Sequence, residues 1–74
     1  MITGMQVRLG RTALRLSVRD LATKTGLTAN TINRFENGSD AKGSTIQKLQ
    51  SYLETSGVEF IAENGGGVGV RLKK

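Results

Sequence analysis

Apolar positions along the first three quarters of the chain recur with helical spacing, and four segments stand out. The first opens at Thr3, with Gln6 three residues on, the spacing of a capping box. It runs to about Arg15, with Val7 and Leu14 on one face and Leu9 and Ala13 close by. Gly10 weakens it by up to about 1 kcal/mol relative to alanine. A second helix begins at Ser17, where Asp20 sets a carboxylate in the first turn, favourable to the helix dipole. It continues through Leu21 and Ala22 and stops at Gly26, a residue suited to a left-handed helix end. Only Leu27 separates that glycine from Thr28, which caps a third helix from Ala29 to about Asn37 with Ile32 and Phe35 inward. Asn37-Gly38 ends it, and the polar stretch from Ser39 to Gly43 reads as a loop. Ser44 with Gln47 repeats the capping-box spacing and opens a fourth helix, striped by Ile46, Leu49, Tyr52 and Leu53 and ended by Gly57.

The period then changes. Val58-Glu59-Phe60-Ile61 and Val68-Gly69-Val70-Arg71-Leu72 are short, β-branched and partly alternating, and Glu63-Asn64-Gly65-Gly66-Gly67 between them has a turn composition. A β-hairpin is the expected form. The competing reading is a disordered tail, since three consecutive glycines lose much entropy when fixed. A disordered tail would leave Phe60, Ile61, Val68, Val70 and Leu72 in water, which favours order. The chain therefore divides into residues 1–57, a mainly α unit of four helices, and 58–74, a C-terminal hairpin or strand extension.

A length of 74 residues makes one small domain. Such a chain buries only about 60% of the surface its unfolded form exposes, so its stability is thin. With no Cys and no His, neither a disulfide nor an ordinary zinc site can reinforce it, and oligomerisation is the usual remedy. The absence of Cys also suits the reducing cytoplasm. Eleven Lys+Arg against six Asp+Glu give a net charge of +5, which favours a polyanionic partner, nucleic acid or an acidic membrane surface. No apolar run is long enough to span a membrane, and no secretory signal is visible at the N-terminus.

The most informative stretch is Ser17 to Gly38, SVRDLATKTGLTANTINRFENG. Two short helices that cross at roughly 90–120° through a tight turn need a small residue where their backbones approach. Ala22 supplies it, and Gly26 supplies the positive φ that the turn requires. Leu21, Leu27, Ile32 and Phe35 then point to a common core, which leaves Ala29, Asn30, Asn33 and Arg34 outward. This pattern resembles the helix-turn-helix of the lambdoid phage repressors and Cro proteins and of the bacterial regulators of xenobiotic-response-element type. The resemblance extends from Thr3 to about Gly57. Thr25 departs from it mildly, where the family usually has an aliphatic residue. After Gly57 the phage proteins usually add a helix, so their dimer geometry does not transfer to this chain.

The resemblance implies a repressor-like domain that binds double-stranded DNA with its third helix in the major groove. Asn30 would pair with adenine, Arg34 with guanine, and Ala29 would meet a thymine methyl, with Asn33 a weaker base contact. Phosphate contacts would come from Ser17, the amide of Val18, Thr28, Asn37, Gly38, Lys42, Gly43 and Ser44. Each of these residues has an ordinary reading as well, as a solvated surface position or a helix cap; Lys24 and Lys48 read as plain solvated charges. Arg11 and Glu36 stand where the phage family holds a partly buried ion pair between the first helix and the recognition helix.

A transcriptional repressor is the leading expectation, acting as a homodimer joined through the tail. An antitoxin that binds a toxin protein as well as its operator is the alternative. An enzyme is disfavoured: no nucleophile has an adjacent base, and Gly65–Gly69 matches neither GxxxxGK[ST] nor GxGxxG. No cofactor, metal or membrane partner is expected.

Overall fold

The structure, a computed structural model, describes residues 1–73. Four helices, α1 (Gly4–Ala13), α2 (Val18–Thr25), α3 (Ala29–Glu36) and α4 (Gly43–Thr55), are followed by strands β1 (Val58–Ile61) and β2 (Gly69–Leu72). The strands form an antiparallel pair, with Val58 opposite Leu72 and Phe60 opposite Val70. The last residue of the tail expected from the sequence, Lys74, lies outside the described residues.

One local device starts every helix. An apolar residue just before the N-cap and another five positions later form a hydrophobic staple that fixes the entry angle of the chain. Ile2 and Val7 stand in these positions for α1, Leu16 and Leu21 for α2, Leu27 and Ile32 for α3, and Ala41 and Ile46 for α4, and all eight belong to or pack against one core. The caps between them are side chains in three of the four cases. Thr3 and Gln6, and Ser17 and Asp20, form reciprocal capping boxes, and the Thr28 hydroxyl accepts from the Thr31 amide. The Ser17 amide and hydroxyl hold the exposed Asp20 carboxyl below its ordinary pKa. A depressed carboxylate favours the fold above its unfolded pKa, and that contribution fades as the pH falls through the folded value.

The start of α4 differs from the expected Ser44–Gln47 capping box. Its N-cap is Lys42, no side chain caps it, and Ser44 lies within the first turn. The Lys42 carbonyl accepts from the Thr45 and Ile46 amides, so the helix begins one turn before Ile46 reaches the core. Ala41, just before this start, packs against the core to which Ile46 belongs.

Helix α1 also corrects the sequence reading. It ends at Ala13, and Leu9 and Ala13 are exposed while Ile2, Gln6, Val7 and Gly10 are buried. The C-terminal turn is a Schellman arrangement in which the Leu16 amide donates to the Arg11 carbonyl and the Arg15 amide to that of Thr12. Arg15 therefore takes φ 60°, the only positive φ among the described non-glycine residues. Left-handed backbone costs an L-residue roughly 1–2 kcal/mol, part of which glycine returns as extra entropy in the unfolded chain. Arg15→Gly is expected to raise stability by about 0.5–1 kcal/mol. A chemical-denaturation midpoint that stays put or falls would contradict this.

The hairpin is docked onto the helices. Val58 is fully buried, and β1 packs on α4 while β2 runs beside α1. A Cβ at Gly10 would lie 3.3 Å from Val58 Cγ1 and 3.6 Å from Leu53 Cδ1, so the glycine lets α1 approach both. Gln6 fastens the other end. Its buried side chain accepts from the Thr3 amide at 3.0 Å and donates from Nε2 to the carbonyls of Ile61 (3.0 Å) and Gly69 (3.1 Å). One residue thus caps a helix and clamps both strands.

Candidate nucleic-acid interface

Helix α2, the turn at Gly26 and helix α3 build the candidate surface. Gly26 takes φ 75° and its amide closes α2 on the Ala22 carbonyl, so the chain reverses within two residues of the next N-cap. Leu21 and Ile32 are fully buried and Ala22 and Phe35 nearly so, which fixes the rotation of α3 about its axis. The remaining face carries Ala29, Asn30, Asn33 and Arg34, all exposed. Positions i, i+1, i+4 and i+5 share one side of a helix, so these four present a single strip.

The structure fastens this strip from behind. Arg11 donates to Glu36 through Nε (2.8 Å to Oε2) and Nη2 (2.9 Å to Oε1), and its Nη1 donates to the Leu16 carbonyl at 3.1 Å. The Glu36 side chain is only 2% exposed. Hydrogen bonding to Glu36 raises the pKa of Arg11 against the opposing effect of burial. Both ends of the bidentate pair are therefore satisfied, and the fork geometry fixes distance and orientation between α1 and α3 together. Arg8, which sequence reasoning missed, adds a contact at 3.4 Å to Glu36 and a 2.9 Å hydrogen bond to Asn37 Oδ1. The signal was present, since residues three apart on a helix share a face, as Arg8 and Arg11 do. At the end of α3 the Ser39 amide donates to the Arg34 carbonyl and the Gly38 amide to that of Phe35, a second Schellman turn, with Gly38 at φ 101°.

The expected phosphate-facing residues fall into two groups. Ser17, half-buried Val18 and Thr28 lie at the N-termini of α2 and α3, where Ser17 and Thr28 are already engaged as caps. Asn37, Gly38, Lys42, Gly43 and Ser44 are exposed along the turn after α3 and the start of α4. A shallow hollow there is lined by Thr31, Arg34, Asp40, Ala41, Lys42 and Thr45. It gathers Arg34 and Lys42 on one hollow with Thr31 of α3, a residue the sequence did not single out, and Thr45 of α4. Lys24 and Lys48 are exposed.

A two-helix unit with a fixed, outward polar strip on its second helix, flanked by the capped N-terminus of α2 and the N-terminus of α4, which no side chain caps, is the architecture of a DNA-binding helix-turn-helix domain. The helix-turn-helix family model matches residues 7–60, most of the chain. The chain belongs to that family, in the branch of xenobiotic-response-element and lambdoid Cro regulators. Members of this family are DNA-binding regulatory domains, and the match covers α2, α3 and α4 whole. No curated protein matches the chain. No helix among the described residues is long and apolar enough to cross a membrane.

Proposed function

We propose that this protein is a sequence-specific transcriptional repressor that inserts α3 into the major groove of double-stranded DNA as a homodimer, in the cytoplasm. The observation that carries the reading is the joint exposure of Ala29, Asn30 and Arg34 on a helix whose other side is locked by Ile32, Phe35 and Glu36. A side chain of fixed origin can discriminate bases, and each good bidentate pair contributes about 1–3 kcal/mol of discrimination. In this reading Asn30 pairs with adenine and Arg34 with guanine, Ala29 meets a thymine methyl, and Asn33 faces along the groove. Ser17, Val18 and Thr28 meet phosphates at the N-termini of α2 and α3, and Asn37, Gly38, Lys42, Gly43 and Ser44 meet phosphates along the turn after α3 and the start of α4. Nothing in this arrangement calls for a cofactor or a catalytic step.

The division of labour is testable by salt. Log K for a duplex should fall linearly with log salt, with about −0.9 of slope for each phosphate neutralised. Lys42→Ala should weaken all sequences alike and reduce the slope by about 1. A slope unchanged in that variant would remove Lys42 from the phosphate contacts. Affinity purification from the native host tests the regulatory role, and a stoichiometric second polypeptide would replace the simple repressor by the antitoxin reading.

A further inference from the structure

Strand β2 has a free edge. The Lys73 amide donates to the Gly57 carbonyl at 2.7 Å, and the register puts Glu59 opposite Arg71 and Ile61 opposite Gly69. In an antiparallel ladder the hydrogen-bonded pairs alternate, so residues 57/73, 59/71 and 61/69 face one another. The N–H and C=O of Val70 and Leu72 therefore point away from β1, and the sheet holds no third strand among the described residues. An open edge of this kind is a template for another strand.

The surroundings of that edge are apolar. Of the four large hydrophobic side chains that the described residues expose, Met5, Leu9 and Leu72 lie on α1 and β2. Gln6 reaches over Gly69, and Gly10 abuts Val58, the cross-strand partner of Leu72, so α1 runs beside β2. Leu9 and Ala13 lie on the flank of α1 that continues past Gly10. None of the three exposed hydrophobics belongs to the polar strip on α3, so the patch and the candidate DNA face are separate surfaces.

The apolar residues of this edge are complementary to a second copy of themselves, and charge narrows the register. We infer that the β2 edge and the Leu9 flank of α1 dock a second copy of this chain, with the two β2 strands antiparallel about a two-fold axis at Val70. Val70 then faces the partner subunit's Val70, and Leu72 faces the partner subunit's Val68, the residue just before β2. On the other side of the sheet Arg71 lies over the partner subunit's Gly69 and keeps its own Glu59, to which it is bonded at 3.2 Å. Sliding the strands one way by a step of two residues sets Arg71 against the partner subunit's Arg71, and a further step sets it against the partner subunit's Lys73; directly opposed like charges destabilise a strand pair. One step the other way sets Leu72 against the partner subunit's Gly66 and loses an apolar pair. Centred on Val70, apolar side chains meet apolar ones and no cation meets another. The result is a continuous four-stranded sheet with an isologous interface.

This names the seam of the homodimer in the proposed function, and it is read without DNA, so failure of operator binding leaves it standing and the converse holds. The chain contains no cysteine, so single-cysteine variants report the register directly. Hydrogen-bonded antiparallel partners have Cα atoms about 5.5 Å apart, within disulfide reach. Under mild oxidation Val70→Cys should give a covalent dimer and Arg71→Cys should remain largely uncrosslinked. By sedimentation at tens of micromolar the unmodified chain should be dimeric. The variant carrying Leu9→Asp and Leu72→Asp, both at exposed positions, should be monomeric with its helical circular dichroism intact. A monomeric unmodified chain, a dimer that survives both aspartates, or cross-linking through position 71 in preference to 70 would overturn the inference.

Discussion

Gly4→Ala is expected to cost about 3 kcal/mol of stability, toward the upper end of what overpacking usually does. A Cβ on Gly4 would lie 2.0 Å from the Phe35 carbonyl oxygen, 2.8 Å from the Phe35 carbonyl carbon and 3.0 Å from Glu36 Cα. All three are backbone atoms of α3, so no side chain can swing aside to make room. Relief requires α1 to move as a body from the end of α3, and Gly4 sits just behind the Thr3 cap and the Ile2 staple that hold it there. For a domain of this size each kcal/mol moves the melting midpoint by about 4–8 °C, so the variant should melt at least 10 °C lower. A midpoint within about 3 °C of the parent would show that α1 and α3 do not touch there.

The second large effect falls on the ion pair behind the recognition helix. Removing one partner of a buried pair typically costs 3–5 kcal/mol, because the other charge remains buried and unpaired. Arg11→Ala would leave Glu36 with Arg8, which is half exposed and reaches only Oε1 at 3.4 Å. That weaker contact offsets part of the penalty, so a loss of about 2–4 kcal/mol is expected. The origin of the loss can be separated from simple packing. If stranded charge is the cause, adding Glu36→Gln to Arg11→Ala should recover much of the stability, a coupling that a double-mutant cycle measures directly. An Arg11→Ala midpoint equal to the parent's, or no recovery in the double variant, would refute the mechanism. Arg11→Lys is not a mild test, because a single ammonium cannot reproduce a bidentate fork that also reaches the Leu16 carbonyl.

The parts of the fold legible in the sequence are those written locally. Helix caps lie within a few residues of the groups they satisfy, so Thr3, Ser17 and Thr28 announced three helix starts and Gly26 one helix end. The two-helix unit was legible because Leu21, Ala22, Ile32 and Phe35 are spaced by the geometry of the crossing. What escaped depends on which neighbour stands on which flank. Gly4 and Gly10 read as weak helix formers, yet each admits a close neighbour, the backbone of α3 in one case and Val58 with Leu53 in the other. Leu9 and Ala13 have helical spacing but fall on the wrong side of the core, since Gln6 and Gly10 take the flank facing the hairpin. Gln6 was visible as a cap, but its bonds to carbonyls 55 and 63 residues away leave no trace in local pattern. At α4 the serine promised a cap, but the helix starts two residues earlier, at Lys42, and Ser44 falls within its first turn.

The same distinction applies to the candidate interface. Ala29, Asn30, Asn33 and Arg34 could be placed on one strip by helical period alone. The hollow that joins Arg34 to Lys42 and Thr31 depends on how the turn after α3 folds back toward α4, which the Schellman bonds of Gly38 and Ser39 determine.

Selection of binding sites from a random duplex pool tests the reading function of α3 most directly. The full chain should enrich an inverted repeat whose half-sites lie about one helical turn, roughly 34 Å, apart. Arg34→Ala should lose preference at one guanine per half-site and Asn30→Ala at one adenine, while preference elsewhere in the site is retained. No enrichment above the starting pool, or an identical motif from both variants, would contradict the account.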